Sequence, residues 1–109
     1  MATIRLVKDD TGPQIRLTFT DSLTGEPTDL SGGTVTLYMR AVNTTTVLVT
    51  RQAIIQAPAT AGIAILAWQS GDLNLAAGDY EGEVEVLLSS GMRETQFDLL
   101  QFTVREDFT

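Results

Sequence analysis

Polar and apolar residues alternate along most of this chain with a period of two. Ile15, Leu17 and Phe19 alternate with Arg16, Thr18 and Thr20, and Val35, Leu37 and Met39 alternate with Thr36, Tyr38 and Arg40. Because successive side chains of an extended backbone point to opposite faces, each such run predicts a strand with one face buried. The same rule predicts strands over 3–7 (TIRLV), 47–55 (VLVTRQAII) and 62–68 (GIAILAW). It predicts another over 80–88, where Tyr80, Val84, Val86 and Leu88 share one parity and Glu81, Glu83 and Glu85 the other. In the last run, TQFDLLQFTVR (95–105), the phase changes between the Phe97, Leu99 set and the Leu100, Phe102, Val104 set. A β-bulge near Leu99–Leu100 within one strand would keep both sets on the core.

Turn-forming residues separate these runs at short intervals: Gly12-Pro13, DSLTGEP (21–27), SGG (31–33), APATAG (57–62) and SSGM (89–92). One short helical candidate is SGDLNLAAG (70–78), with Asp72 as N-cap and Gly78 at its end. About seven short strands with such punctuation predict an all-β fold, an antiparallel β-sandwich, as one domain over 1–109.

Composition narrows the function classes. With 43% hydrophobic and 19% charged residues, the 109-residue chain reads as folded. It has no histidine and no cysteine, which removes disulfides, thiolate and imidazole metal sites, a Cys nucleophile and a His general base. The net charge is −7, and the seven bases are scattered, so no stripe tracks a nucleic-acid backbone. No apolar run is long enough to span a membrane, and the N-terminus lacks the apolar core of a signal peptide, so synthesis and folding in a cytoplasm are expected. Phosphate-loop, dinucleotide, nucleophile-elbow and zinc signatures are missing. The paired acids Asp9-Asp10 and Glu106-Asp107 fall in loop or tail sequence, where nothing raises a carboxylate pKa for acid catalysis. The expectation is a protein that is not an enzyme, with no catalytic residue, cofactor or metal.

Several blocks in order, KDDTGPQIRLTFTD, DLSGGTVTLYMR, AWQSGDLNLAAGDYEGEVEV and FTVRE, resemble the N-terminal domain of the phage baseplate upper protein family. The most specific parts are DTGP (10–13), DLSGGTVTLYMR and the order Trp68, Gly71-Asp72, Gly78, Tyr80. The resemblance implies an immunoglobulin-like β-sandwich and a bacteriophage virion structural protein, located in the virion and made in the host bacterial cytoplasm. A tail or baseplate adaptor or accessory subunit is the leading expectation, with other virion proteins as partners. Head decoration on the capsid and a carbohydrate-binding module for host attachment are the alternatives.

Individual residues carry further expectations. In the corner Asp10, Thr11, Gly12, Pro13, Gly12 is expected to adopt a conformation other residues resist, and Pro13 to fix the entry to the next strand. Asp10 or Thr11 is expected to bond backbone N–H groups there. Calcium ligation by Asp9 and Asp10 lacks the spaced acids of a calcium loop. Trp68 ends one strand and Tyr80 begins another across a short corner, as in the tyrosine corner of immunoglobulin-type sandwiches. Core packing is expected of Trp68, since sugar stacking would need it exposed.

Two candidate interfaces remain. Thr44, Thr45, Thr46, Val47 and Val49 belong to an uncharged, β-prone stretch, 41–50, which as an unguarded edge would pair with another chain. The Glu81, Glu83, Glu85 row predicts a solvated face or one side of an assembly contact. A homo-oligomer or lattice-bound subunit is expected, with neither nucleic acid nor membrane as partner.

Overall fold

The computed structural model describes residues 3–96 and 99–108. Eight strands follow in chain order: β1 (Thr3–Val7), β2 (Gln14–Thr18), β3 (Thr34–Ala41), β4 (Val47–Ile55), β5 (Ile63–Ala67), β6 (Gly78–Leu87), β7 (Arg93–Thr95) and β8 (Leu100–Arg105). The fold is therefore all-β, as the alternation predicts. A single 3-10 turn, Ala59–Ala61, precedes β5. It ends at Gly62, whose φ of 71° is left-handed and whose missing side chain would meet the Phe19 carbonyl oxygen at 2.6 Å.

Neighbouring strands run in the order β1-β8-β6-β3-β4-β5-β2, with β7 added beside β6. All pairs are antiparallel except β1 with β8, which run parallel in the register Ile4 to Phe102 and Leu6 to Val104. β4 belongs to both halves of the curled sheet: Val47–Ala53 pairs with β3, whereas Ile54 and Ile55 pair with Ile65 and Ala64 of β5. Where the strand passes from one neighbour to the other, the sheet folds over on itself and closes the sandwich.

The inward parity of each strand fills one core. Val35, Leu37 and Met39 of β3 are fully buried, and they meet Leu66, Val84, Val86, Phe102 and Val104. Gly82 lies opposite Met39 and Leu100, on the inward parity of β6. A Cβ there would approach Leu37 Cδ1 and Phe102 Cε2, each at 2.8 Å, so glycine is what lets those side chains close over the strand. Trp68 packs edge-on against Phe102 with ring centroids 6.0 Å apart.

Three expectations need correction. The run 95–105 is not one bulged strand: β7 and β8 are separate, and they pair with opposite ends of β6, at Glu85–Leu87 and Gly78–Gly82. Phe97 lies outside the described residues. No helix forms over 70–78; the segment is a pair of turns closed by Asp72 N–H to Gln69 O and Asn74 N–H to Gly71 O. Gly78 starts β6 instead of ending a helix.

The corner 10–13 also differs in detail. Gly12 has no positive φ and open space where a side chain would be, so its lack of a side chain is not required. The left-handed residue is Asp9, at φ 68°. The turn is closed by Asp10 N–H to Val7 O, Asp9 N–H reaches Leu73 O of the 69–75 loop, and among the described residues no side-chain bond of Asp10 or Thr11 takes part. Pro13 does stand immediately before β2, where its fixed φ suits an extended chain.

Candidate functional site

The edge of the sheet at β4 is built from three features. First, the β3–β4 hairpin loop turns at Asn43, with φ 67°, and is fixed by Thr44, whose backbone N–H and hydroxyl both donate to the Ala41 carbonyl at 3.2 and 2.7 Å. Thr44, Thr45 and Thr46 are thus exposed loop residues and not part of the strand edge. Second, the register shifts by one between Met39, opposite Val49, and Arg40, opposite Val47. The extra residue, Leu48, forms a bulge that leaves Val47 and Leu48 about half exposed, at 49% and 51%. Third, among the described residues, Val47–Ala53 has β3 as its one strand neighbour, so its other side carries an unpaired row of backbone donors and acceptors.

Side chains on this edge divide by face. Val49 and Ala53 point into the core and are buried, so Val49 is a core residue and not an interface residue. Thr50, Gln52 and Ile54 are exposed. Arg51 is paired with fully buried Leu37 and so shares the core parity. A cation there needs an anion, which Asp72 supplies: Arg51 Nε donates to Asp72 Oδ2 at 2.8 Å and Nη2 to Oδ1 at 2.7 Å. Asp72 Oδ2 also accepts the Gln69 N–H at 2.9 Å. Burial pushes the Asp72 carboxyl pKa up, but the Arg51 hydrogen bonds, the Gln69 N–H and the guanidinium charge together hold it below its ordinary value. The Asp72 hydrogen bond in turn raises the Arg51 pKa, against the opposing effect of burial. The pair ties the 69–75 loop to β4 and stands where the two halves of the sheet separate. Arg51 was readable as a charge at a core-parity position of a strand, the signal for a buried partner.

The acidic row of β6 lies on the outer face, in register with β3: Glu81 opposite Arg40, Glu83 opposite Tyr38 and Glu85 opposite Thr36. Glu81 accepts from Arg40 Nε at 2.9 Å and is itself half-buried, while Arg93 stands 3.9 Å from Glu85. Around Tyr38, Arg40, Val47, Glu81, Glu83 and Leu99 the face dips into a hollow of about 70 Å³. That is too small for a typical substrate pocket of a few hundred Å³. The row is therefore largely self-neutralised, with Glu83 the member that has no ion pair among the described residues.

Trp68 is 3% exposed and Tyr80 5%. The Tyr80 hydroxyl donates to the nearby Ala76 carbonyl at 2.6 Å, while Trp68, just past the end of β5, packs against Phe102. Among the described residues no group of three or more Asp or Glu side chains is placed to hold a metal ion.

The sequence matches no protein-family model and no curated protein. Among solved structures it is similar to CopC from Methylosinus trichosporium OB3b, with a TM-score of 0.55 and 19% identity over 100% of this chain and 89% of that one. A likeness at that identity speaks for the fold. The expectation of a bacteriophage virion structural protein, whether tail, baseplate or head decoration, and with it the virion location, is corrected by the comparisons together: no family model matches, and the similar solved structure is CopC and not a virion component. The carbohydrate-binding alternative fails as well, because the ring that would stack on a sugar, Trp68, is buried. Copper binding does not follow for this chain, whose sequence has neither histidine nor cysteine and whose described acids do not gather.

Proposed function

We propose that this chain is a non-catalytic interaction module, which binds another protein by adding one of that protein's strands to the open edge of β4. The observation that carries the reading is that, among the described residues, Val47–Ala53 has a strand on one side only, with Val47 and Leu48 half exposed beside it. Unpaired main-chain groups give such an edge affinity for any extended segment, and the neighbouring side chains select among segments. The partly buried Arg51–Asp72 pair supports the reading, because it holds the β4 backbone against the 69–75 loop and presents the edge already formed.

A photo-crosslinking amino acid placed at Leu48 tests it in cells that make the protein, with the same group at Gln101 of β8 as the control. A discrete adduct from position 48, absent from position 101 and lost when Val47→Lys is added to a chain with unchanged circular dichroism, is the expected result. Equal labelling at both positions, or none at 48, overturns the reading.

A further inference from the structure

We infer that the occupant of this edge is a second copy of the same chain, paired antiparallel across a twofold axis at Thr50. The inference rests on the reading of β4 as an interaction edge and adds the identity and register of the partner. Charge points to it. The chain carries a net charge of −7, yet the stretch 30–71, which contains all of β3, β4 and β5, has no Asp or Glu. Two copies meeting through β6 would set Glu81, Glu83 and Glu85 against their equivalents, and like charges directly opposite one another are destabilising. Two copies meeting through β4 do not set that row against itself, and Asp72, whose carboxylate reaches β4, is held by Arg51.

Geometry selects the register. An axis perpendicular to the sheet keeps core-facing residues core-facing in both copies, so a residue must lie opposite its own equivalent. Centring on Arg51 would place guanidinium opposite guanidinium. Centring on Gln52 would bring Thr50 opposite Ile54 of the second copy, which β5 already occupies. Centring on Thr50 sets Val49 opposite Arg51 and Leu48 opposite Gln52, all inside the unpaired stretch, with Thr50 facing Thr50 on the solvent side. Thr–Thr cross-strand pairs are favourable, and the half-exposed Val47 and Leu48 of each copy are then covered by the other.

The chain has no cysteine of its own, so single-cysteine variants read the register directly. Opposed antiparallel residues have Cα atoms about 4.5 to 5.5 Å apart, within disulfide range. Under mild oxidation Thr50→Cys is expected to give a disulfide-linked dimer. Leu48→Cys and Gln52→Cys should link when mixed but not each alone, and Gln101→Cys should stay monomeric. In sedimentation the wild type should dimerise with concentration, and Val47→Lys should weaken dimerisation by about tenfold or more by placing charge at an edge that becomes dry. A wild type that stays monomeric at its highest soluble concentration, or Thr50→Cys linking no faster than Gln101→Cys, overturns the inference. The Leu48 photo-adduct separates the two levels: an adduct of other than twice the chain's mass, with a monomeric wild type, keeps the interaction module and removes self-pairing, and no adduct removes both.

Discussion

Arg51 of β4 and Asp72 of the loop before β6 hold each other through two hydrogen bonds, at 2.8 and 2.7 Å, with Asp72 only 9% exposed. The arginine is on the core parity of β4, the strand that pairs with both β3 and β5, and the carboxylate ties the 69–75 loop to it. Two charges removed from water in this way are costly unless both remain matched. Removing one leaves the other stranded.

Asp72→Asn should therefore lower stability by about 2 to 3 kcal/mol at neutral pH, less than a wholly buried pair because the Arg51 side chain is 26% exposed. The difference from wild type should depend on pH. Asp72 has a folded pKa below its ordinary value, so its contribution is present above the unfolded pKa, near 3.9, and is lost as the pH falls through the folded value. Urea unfolding at pH 7 and at pH 3 checks this: the gap between wild type and Asp72→Asn should narrow at the lower pH, and a gap of constant size would contradict the assignment.

Tyr80→Phe removes the hydroxyl that reaches the Ala76 carbonyl and leaves the buried ring in place. Ala76 is exposed, so water can take over its carbonyl, and the expected loss is about 1 kcal/mol. Thermal unfolding of the variant should show the same fold with a lower midpoint.

Gly82→Ala should destabilise by about 1 to 3 kcal/mol through overpacking, since the new methyl meets Leu37 and Phe102 across the core. Calorimetry on this variant with and without Leu37→Val would show partial recovery if the methyl and the Leu37 side chain compete for the same space.

Much of the fold was legible because alternation is a strong local signal: β1 and β4 fall on the expected residues, and the parity of β3 and β6 correctly assigns Leu37, Val84 and Val86 to the core. What alternation does not encode is which strands are neighbours, so the parallel β1–β8 pair was not foreseen. The 70–78 segment misled because an acid followed by apolar residues suits a capped helical turn as well as it suits a loop with its leucines buried. Leu73 and Leu75 pack into the core here, and the Asp72 carboxylate goes to Arg51 and Gln69. The lack of charge across 41–50 assigns Val49 to an interface, but its pairing with buried Met39 places it inside. Alternation places the Glu row outward, but Arg40, the partner of Glu81, stands forty-one residues away in sequence, a distance at which periodicity says nothing.

Copper(II) or EDTA should leave the melting temperature unchanged. The chain has no histidine or cysteine, and of its three methionines Met39 is fully buried. A specifically bound ion would stabilise the native state by mass action, so a rise of several degrees with copper, reversed by EDTA, would show a site that the described acids do not form.

Lysine at two positions of β4 separates folding from assembly. Val49 is 6% exposed and faces Met39, so Val49→Lys buries an ammonium in the core and should abolish or severely weaken folding, by about 3 kcal/mol or more. Val47 is 49% exposed at the bulge, so Val47→Lys should change stability by less than about 1 kcal/mol while placing its charge beside the unpaired edge. Urea unfolding and light scattering on the two variants give the answer together. If Val47→Lys folds as the wild type does but loses association, the edge is the contact; if it folds and associates as before, the partner of this domain binds elsewhere, and Glu83 on the outer face of β6 becomes the residue to test.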